Sequence, residues 1–216
     1  MTSVHSLPAA QTTTDLLEVV DLTCQRGDRL LFQGLGFTVS PGLAVLVEGS
    51  NGSGKTTLLR TVCGLMRAEE GEVRWNGAPI ERDRLEYQAQ LGYLGHVHGI
   101  KDELTAEENL RVAGSLHGTR APAIEAALAR VGLAGLRHAR ARQMSAGQRR
   151  RLALARLLLG RVRLWVLDEP FTALDRAGMG LVEAMIEDHC AAGGMALMSS
   201  HHGVALNCAS PVRVQL

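Results

Sequence analysis

Short apolar runs of strand length punctuate this chain, and between them lie longer segments of helical character. Residues 17–20, 30–32 and 37–39 are three such runs, separated by Gly27-Asp28, Gly34 and Pro41-Gly42, which predicts a small antiparallel layer. Residues 43–47 (LAVLV) have strand length, and residues 55–66 have helical composition. Residues 71–77 form a further hairpin strand closing on Asn76-Gly77. A strand over 91–98 runs into a loop. A Thr105/Glu108 capping box then opens a helix to about residue 117, and Pro122 opens another to about 131. Ser145 and Gln148 repeat the capping-box spacing at the head of a helical segment ending near Gly160. Residues 164–168 are a buried strand of parallel type; a turn at 173–175, a helix to about Cys190 and a last apolar strand over 195–198 follow. The order predicts an α/β chain with an N-terminal antiparallel β layer and a helical subdomain, about residues 99–160, inserted in the core.

Between the strand at 43–47 and the next helix lies Gly49-Ser50-Asn51-Gly52-Ser53-Gly54-Lys55-Thr56-Thr57, which fits the phosphate-loop pattern GxxxxGK[ST]. Glycines let the backbone wrap a polyphosphate without Cβ clashes, and the helix N-terminus offers N–H donors and partial positive charge. Lys55 is placed to reach the β and γ phosphates, Thr56 to put its hydroxyl on Mg²⁺, and Thr57 to add a phosphate contact. A nucleotide polyphosphate with Mg²⁺ is therefore the expected ligand of this loop.

Three further places carry chemistry. Asp168 and Glu169 end the strand at 164–168, where ligands of open α/β sheets collect. Asp168 is the expected anchor for Mg²⁺, and Glu169 is placed to orient the attacking water. Ser145 and Gly147 stand at a helix N-terminus, a second phosphate-binding end that one site per subunit would not need and a subunit interface would. His201 follows the last strand, at the end where a γ phosphate would sit, and is preferred to His202 for that contact.

Composition narrows the partners. The 216 residues are 46% apolar and 21% charged with a formal charge of +1, which argues against a nucleic-acid partner recognised by global charge. Nine arginines between 137 and 163, with no acid among them, form one basic stretch, either a solvated helix face or a surface for phosphates or an acidic partner. Four scattered cysteines suggest neither a disulfide frame nor a zinc site, and no apolar stretch reaches membrane-spanning length. Residues 1–15 read as a loose, disordered tail, leaving 16–216 as one domain.

The phosphate loop, MSAGQ (144–148), LWVLDEP (164–170), ALD (173–175) and SSH (199–201) occur in the order found in ATP-binding cassette transporter ATPases, and the chain resembles that P-loop NTPase family over residues 16–216. The resemblance implies a head-to-tail homodimer in which Ser145, Gly147 and Gln148 of one subunit close on the ATP held at Lys55 of the other. The stretches LFQGLGFTVSPG, EGSNGSGKTTLLR, GYLGHVHGIKDELTAEENL, MSAGQRRRLALARL and LWVLDEPFTALD are similar to the ATP-binding subunits of the haem exporter of cytochrome c maturation. That likeness implies a peripheral ATPase on the cytoplasmic face of the bacterial inner membrane. Its partners would be integral subunits like CcmB, CcmC and CcmD and, indirectly, the haem chaperone CcmE. It places the membrane contact around residues 95–103.

Three departures from the cassette pattern stand out. His96 occupies the place of a lid glutamine that addresses the attacking water. Arg26 occupies the place of an aromatic ring that stacks on adenine, and its planar guanidinium can stack instead. Ala146 replaces a glycine and keeps the helix start. A cassette ATPase serving another exported substrate fits the same motifs, since none of these residues touches cargo. A ribosome- or DNA-directed module would carry a second cassette, a coiled-coil insertion or a basic tail, features the sequence does not show. A nucleotide sensor without turnover would not need Lys55, Asp168, Glu169 and His201 together.

Overall fold

The computed structural model describes residues 15–115, 118–200 and 212–216. The chain opens with β1 (Leu17–Arg26) and β2 (Arg29–Val39), joined at Gly27-Asp28, and β4 (Glu70–Trp75) pairs with the other edge of β1. With β5 (Ala78–Pro79) they make an antiparallel sheet in the order β2-β1-β4-β5. The runs at 30–32 and 37–39 were expected as separate strands, yet both lie in β2. Gly34 adopts φ +65° and the β1–β2 register slips on either side of Leu22, so the glycine makes a bulge and not a turn. Asn76 and Gly77 both have positive φ, as their two-residue hairpin turn requires.

The second sheet is parallel, ordered β6-β7-β8-β3-β9, from β3 (Ala44–Glu48), β6 (Leu91–Leu94), β7 (Leu164–Asp168), β8 (Met195–Ser199) and β9 (Val212–Gln215). Its strands alternate between two cores. Leu46, Trp165, Leu167, Ala196 and Met198 face α3 (Ala106–Ser115), α4 (Ala121–Arg130), α5 (Ala146–Ala155) and α6 (Arg176–Ala191). Val45, Val47, Leu164, Val166 and Leu197 face α1 (Lys55–Val62) and the antiparallel sheet. A sheet covered on both faces is what its near-continuous apolar strands demand.

Both expected capping boxes form: Glu108 N–H donates to Thr105 Oγ1 at 3.2 Å and Thr105 N–H to Glu108 Oε2 at 2.8 Å, with the matching pair at Ser145 and Gln148. Helix α1 is shorter than the expected 55–66. Gly64 turns left-handed (φ +67°), and Leu65 N–H to Arg60 O with Gly64 N–H to Thr61 O closes a Schellman motif. Two elements escaped the sequence reading: α2 (Arg84–Ala89), capped by Asp83, and β9, four residues on the edge of β3. The expected tail and the end of the helix near 117 lie outside the described residues, apart from Asp15.

Candidate functional site

Strand β3 delivers the phosphate loop and α1 leaves it. Gly49 has φ +155°, and a Cβ there would lie 2.6 Å from Ser53 Oγ and 2.8 Å from Leu216 O, so both conformation and space require glycine. Gly54 (φ +111°) is the N-cap of α1 and gives no side-chain cap, and the first turn holds no acid. The leading N–H groups thus keep their capacity for an anion. Lys55, 6% exposed, folds back and donates to Gly49 O at 2.8 Å and Ser50 O at 3.1 Å. Ser53 Oγ is buried with no hydrogen-bond partner among the described residues. Over the loop opens a cavity of about 330 Å³, lined among others by Arg26, Arg29, Asn51, Lys55, Thr56 and Glu169.

Glu169 in that lining shows that the two halves of the predicted site meet. Asp168, 1% exposed, accepts from Thr56 Oγ1 at Oδ2 (2.9 Å) and from Ser199 Oγ at Oδ1 (2.8 Å). The same Ser199 oxygen accepts the Glu169 N–H at 3.0 Å. Glu169 takes φ +52°, a left-handed conformation that a residue with a side chain adopts at a cost of about 1–3 kcal/mol. Thr56 and Asp168 together form a pair of hard oxygen donors suited to Mg²⁺. No group of three or more metal-ligating side chains stands elsewhere among the described residues, so such an ion would complete its shell with water and phosphate oxygens, as Mg²⁺ prefers.

Other predicted residues are placed as follows. Arg26 sits exposed at the β1–β2 turn and lines the cavity, paired in register with Arg29. His96 is exposed in the loop after β6 and is not in the cavity lining. Ser145, Gly147 and Gln148 head α5 and are likewise outside it, so within one chain the two phosphate-binding ends are not brought together. Ala146 opens α5 as expected. His201 lies outside the described residues.

Six of the nine arginines in the basic stretch are paired or hydrogen-bonded within the chain, while Arg140 and Arg161 stay exposed. Arg137 pairs with Glu107 and Glu125 and holds the Glu107 carboxyl down at about 2; Arg142 reaches Glu103 and Arg163 reaches Asp15. Arg151 and Arg156 donate to the carbonyls of Val131 and His98. The partner acids lie outside the stretch, so charges counted within it do not show these pairs. Arg150 is fully buried. With Leu154 and Leu157 it falls at i, i+4 and i+7, the buried stripe of the segment, which is the one signal that could have singled it out. Ser199 was also missed, although the parallel register sets it directly beside Asp168.

The matches to known proteins agree with this geometry. A family described as ABC transporter matches residues 32–172. A protein of Methylococcus capsulatus described as cytochrome c biogenesis ATP-binding export protein CcmA is 56% identical over 85% of this chain and 89% of its own. The protein of that description from Aliivibrio fischeri is 45% identical over 93% and 99%. Among solved structures, a putative ABC transporter ATP-binding protein from Pyrococcus furiosus superposes with a TM-score of 0.81 at 28% identity, covering 93% of this chain and 97% of that one.

Proposed function

Because the chain belongs to the ABC transporter family, we propose that it is the ATP-hydrolysing subunit of a membrane complex that serves haem export and release of the haem chaperone in c-type cytochrome biogenesis. The observation that carries the ATPase reading is the meeting of Lys55 and Glu169 in one cavity, with Asp168 tied to Thr56 at its floor. The loop N–H groups and Lys55 bind the polyphosphate, Lys55 exchanging its two carbonyl partners for phosphate oxygens. Thr56 and Asp168 would hold Mg²⁺, which would supply positive charge against the phosphate oxygens. Glu169 orients water in line, and His201 and His96 attend the γ phosphate and the water. Arg26 offers a flat face to the base.

Ser145, Gly147 and Gln148 point this machinery at a second copy: they form a well-capped helix start outside the chain's own cavity, so the closed state is a homodimer with each α5 end on the partner's nucleotide. Residues 16–216 act as one nucleotide-binding domain, with the region about 99–160 as its helical subdomain. No helix among the described residues is long and apolar enough to cross a membrane. Attachment to the cytoplasmic face of the inner membrane then falls to integral subunits like CcmB, CcmC and CcmD. Val97, 85% exposed in the loop after β6, supports docking around residues 95–103. The chaperone CcmE would be reached only through them.

The test is to purify tagged Glu169→Gln protein from native membranes with ATP, identify what accompanies it and record haem absorbance. Recovery of haem and the maturation proteins is expected. Recovery of another permease without haem keeps the ATPase assignment and replaces the cargo.

A further inference from the structure

Arg150 has 1% of its surface exposed, and its five N–H groups make five hydrogen bonds. Nε donates to Pro170 O (3.2 Å), and Nη2 to Asp168 O (2.8 Å) and Glu169 O (2.5 Å). Nη1 donates to Gly95 O (3.3 Å) and His98 Nδ1 (2.9 Å). One side chain therefore joins three segments: α5, whose head carries Ser145, the loop after β6, and the exit of β7 that carries Glu169. Further along the same helical segment, Arg156 Nη1 donates to His98 O at 2.9 Å. A Cβ on Gly99 would lie 2.8 Å from that nitrogen, so the loop is clasped at two points.

We propose that Arg150 is the positioning residue that ties the 95–100 loop to Glu169, fixes the place of that carboxylate and so sets the rate of hydrolysis. The proposal rests on the ATPase reading above and adds the physical link. A left-handed Glu169 is held from outside: Ser199 takes its N–H and Arg150 its carbonyl, so withdrawing the guanidinium frees the backbone to relax and carries the carboxylate off line. Burial lowers the Arg150 pKa to about 10, which still leaves it charged at neutral pH. A buried charge held by carbonyl dipoles is costly to leave half-paired, so a shift of the loop is passed on to β7 and not absorbed locally.

The His98 bond supplies the second readout. A guanidinium only donates, so Nδ1 must accept and carry no proton. The groups facing His98 are cationic or become so: Arg149 and Arg150 from α5, Arg156 on its carbonyl, and His96 on its own loop. Burial first, then Arg150, push the His98 pKa below its usual value, so the link is complete at neutral pH and opens as pH falls through that lowered value.

The experiment measures ATP turnover and ATP binding by the membrane-purified complex carrying Arg150→Gln, His98→Asn or Glu169→Gln. Arg150→Gln is expected to lower kcat about tenfold or more with ATP affinity within about twofold, since no phosphate-loop contact is touched. Below the His98 pKa the unaltered complex should lose rate toward a floor no lower than that of Arg150→Gln, whereas His98→Asn, with an acceptor that takes no proton, should give a flatter acid limb. If Arg150→Gln does not fold, the acid limb decides alone. Unchanged kcat in folded Arg150→Gln, or superimposable acid limbs, overturns the coupling alone. A Glu169→Gln complex turning over at the unaltered rate would overturn the role of Glu169 and the coupling with it, whereas an unaltered complex that turns over no ATP would overturn the ATPase reading.

Discussion

The two walls of the nucleotide cavity are built on opposite plans. The phosphate loop is made from nine consecutive residues and, apart from the Thr56 hydroxyl on Asp168, is held locally: Lys55 bonds carbonyls only five and six residues back, and Ser53 Oγ has no partner among the described residues. The carboxylate wall is assembled from distant chain. Asp168 is fixed by Thr56, 112 residues earlier, and by Ser199, 31 later, while the carbonyls of Asp168, Glu169 and Pro170 converge on Arg150. The first wall holds bonding capacity for a ligand. The second has spent its capacity on holding a strained Glu169 still, as preorganised catalysis requires.

The comparison predicts different failures on the two sides, and the largest effects should separate cleanly. Lys55→Ala removes the charge that meets the phosphates and should weaken ATP binding about a hundredfold or more, measured by calorimetry, with little change in folding. Asp168→Asn should leave binding within about tenfold and lower turnover about a thousandfold. If both variants lose binding and turnover in equal proportion, the division between a binding wall and a catalytic wall is wrong.

Next comes Ser199→Ala. It strips Asp168 Oδ1 and the Glu169 N–H of their shared partner at once, and a buried polar group left unpaired costs about 1–3 kcal/mol. Stability in urea should fall by about that amount and kcat about tenfold, with ATP affinity little altered. Loss of affinity with kcat intact would place Ser199 on the binding wall instead.

How much could be read from the sequence follows the same division. The loop, both capping boxes and the Asn76-Gly77 turn are local, and residues a few positions apart must touch whatever the rest of the chain does. The role of Ser199 depends on β7 and β8 lying side by side in a given register, and that of Arg150 on three segments meeting. No pattern within a dozen residues states either. The basic stretch shows the cost: Arg137 and Arg142 look unpaired until α3 brings Glu107 and the preceding loop brings Glu103. Helix α2 and strand β9, of six and four residues, are too short for periodicity to declare.

A smaller effect tests the outer edge of the binding wall. If Arg26 stacks on the base, Arg26→Ala should weaken ATP about three- to fivefold, the worth of one guanidinium–ring contact, and leave the affinity for inorganic tripolyphosphate unchanged. Arg26→Tyr should restore the loss. Equal weakening for ATP and tripolyphosphate would make Arg26, with Arg29 beside it at the turn, a phosphate contact.

The smallest expected change is also the sharpest for the comparison. Ser53 Oγ is buried without a partner among the described residues, and such a hydroxyl destabilises the free protein by about 1 kcal/mol or more. A methyl fits the space that the hydroxyl leaves, so Ser53→Ala should raise the melting temperature without nucleotide. If a phosphate oxygen is the missing partner, the same change should weaken ATP by a few fold and shrink the rise in melting temperature that saturating ATP produces, because stabilisation by a ligand scales with its affinity. The two shifts have opposite signs, which a general packing defect cannot produce. A variant less stable in both states would mean that the hydroxyl is bonded in the free protein and that the loop, like the carboxylate wall, is complete before the ligand arrives.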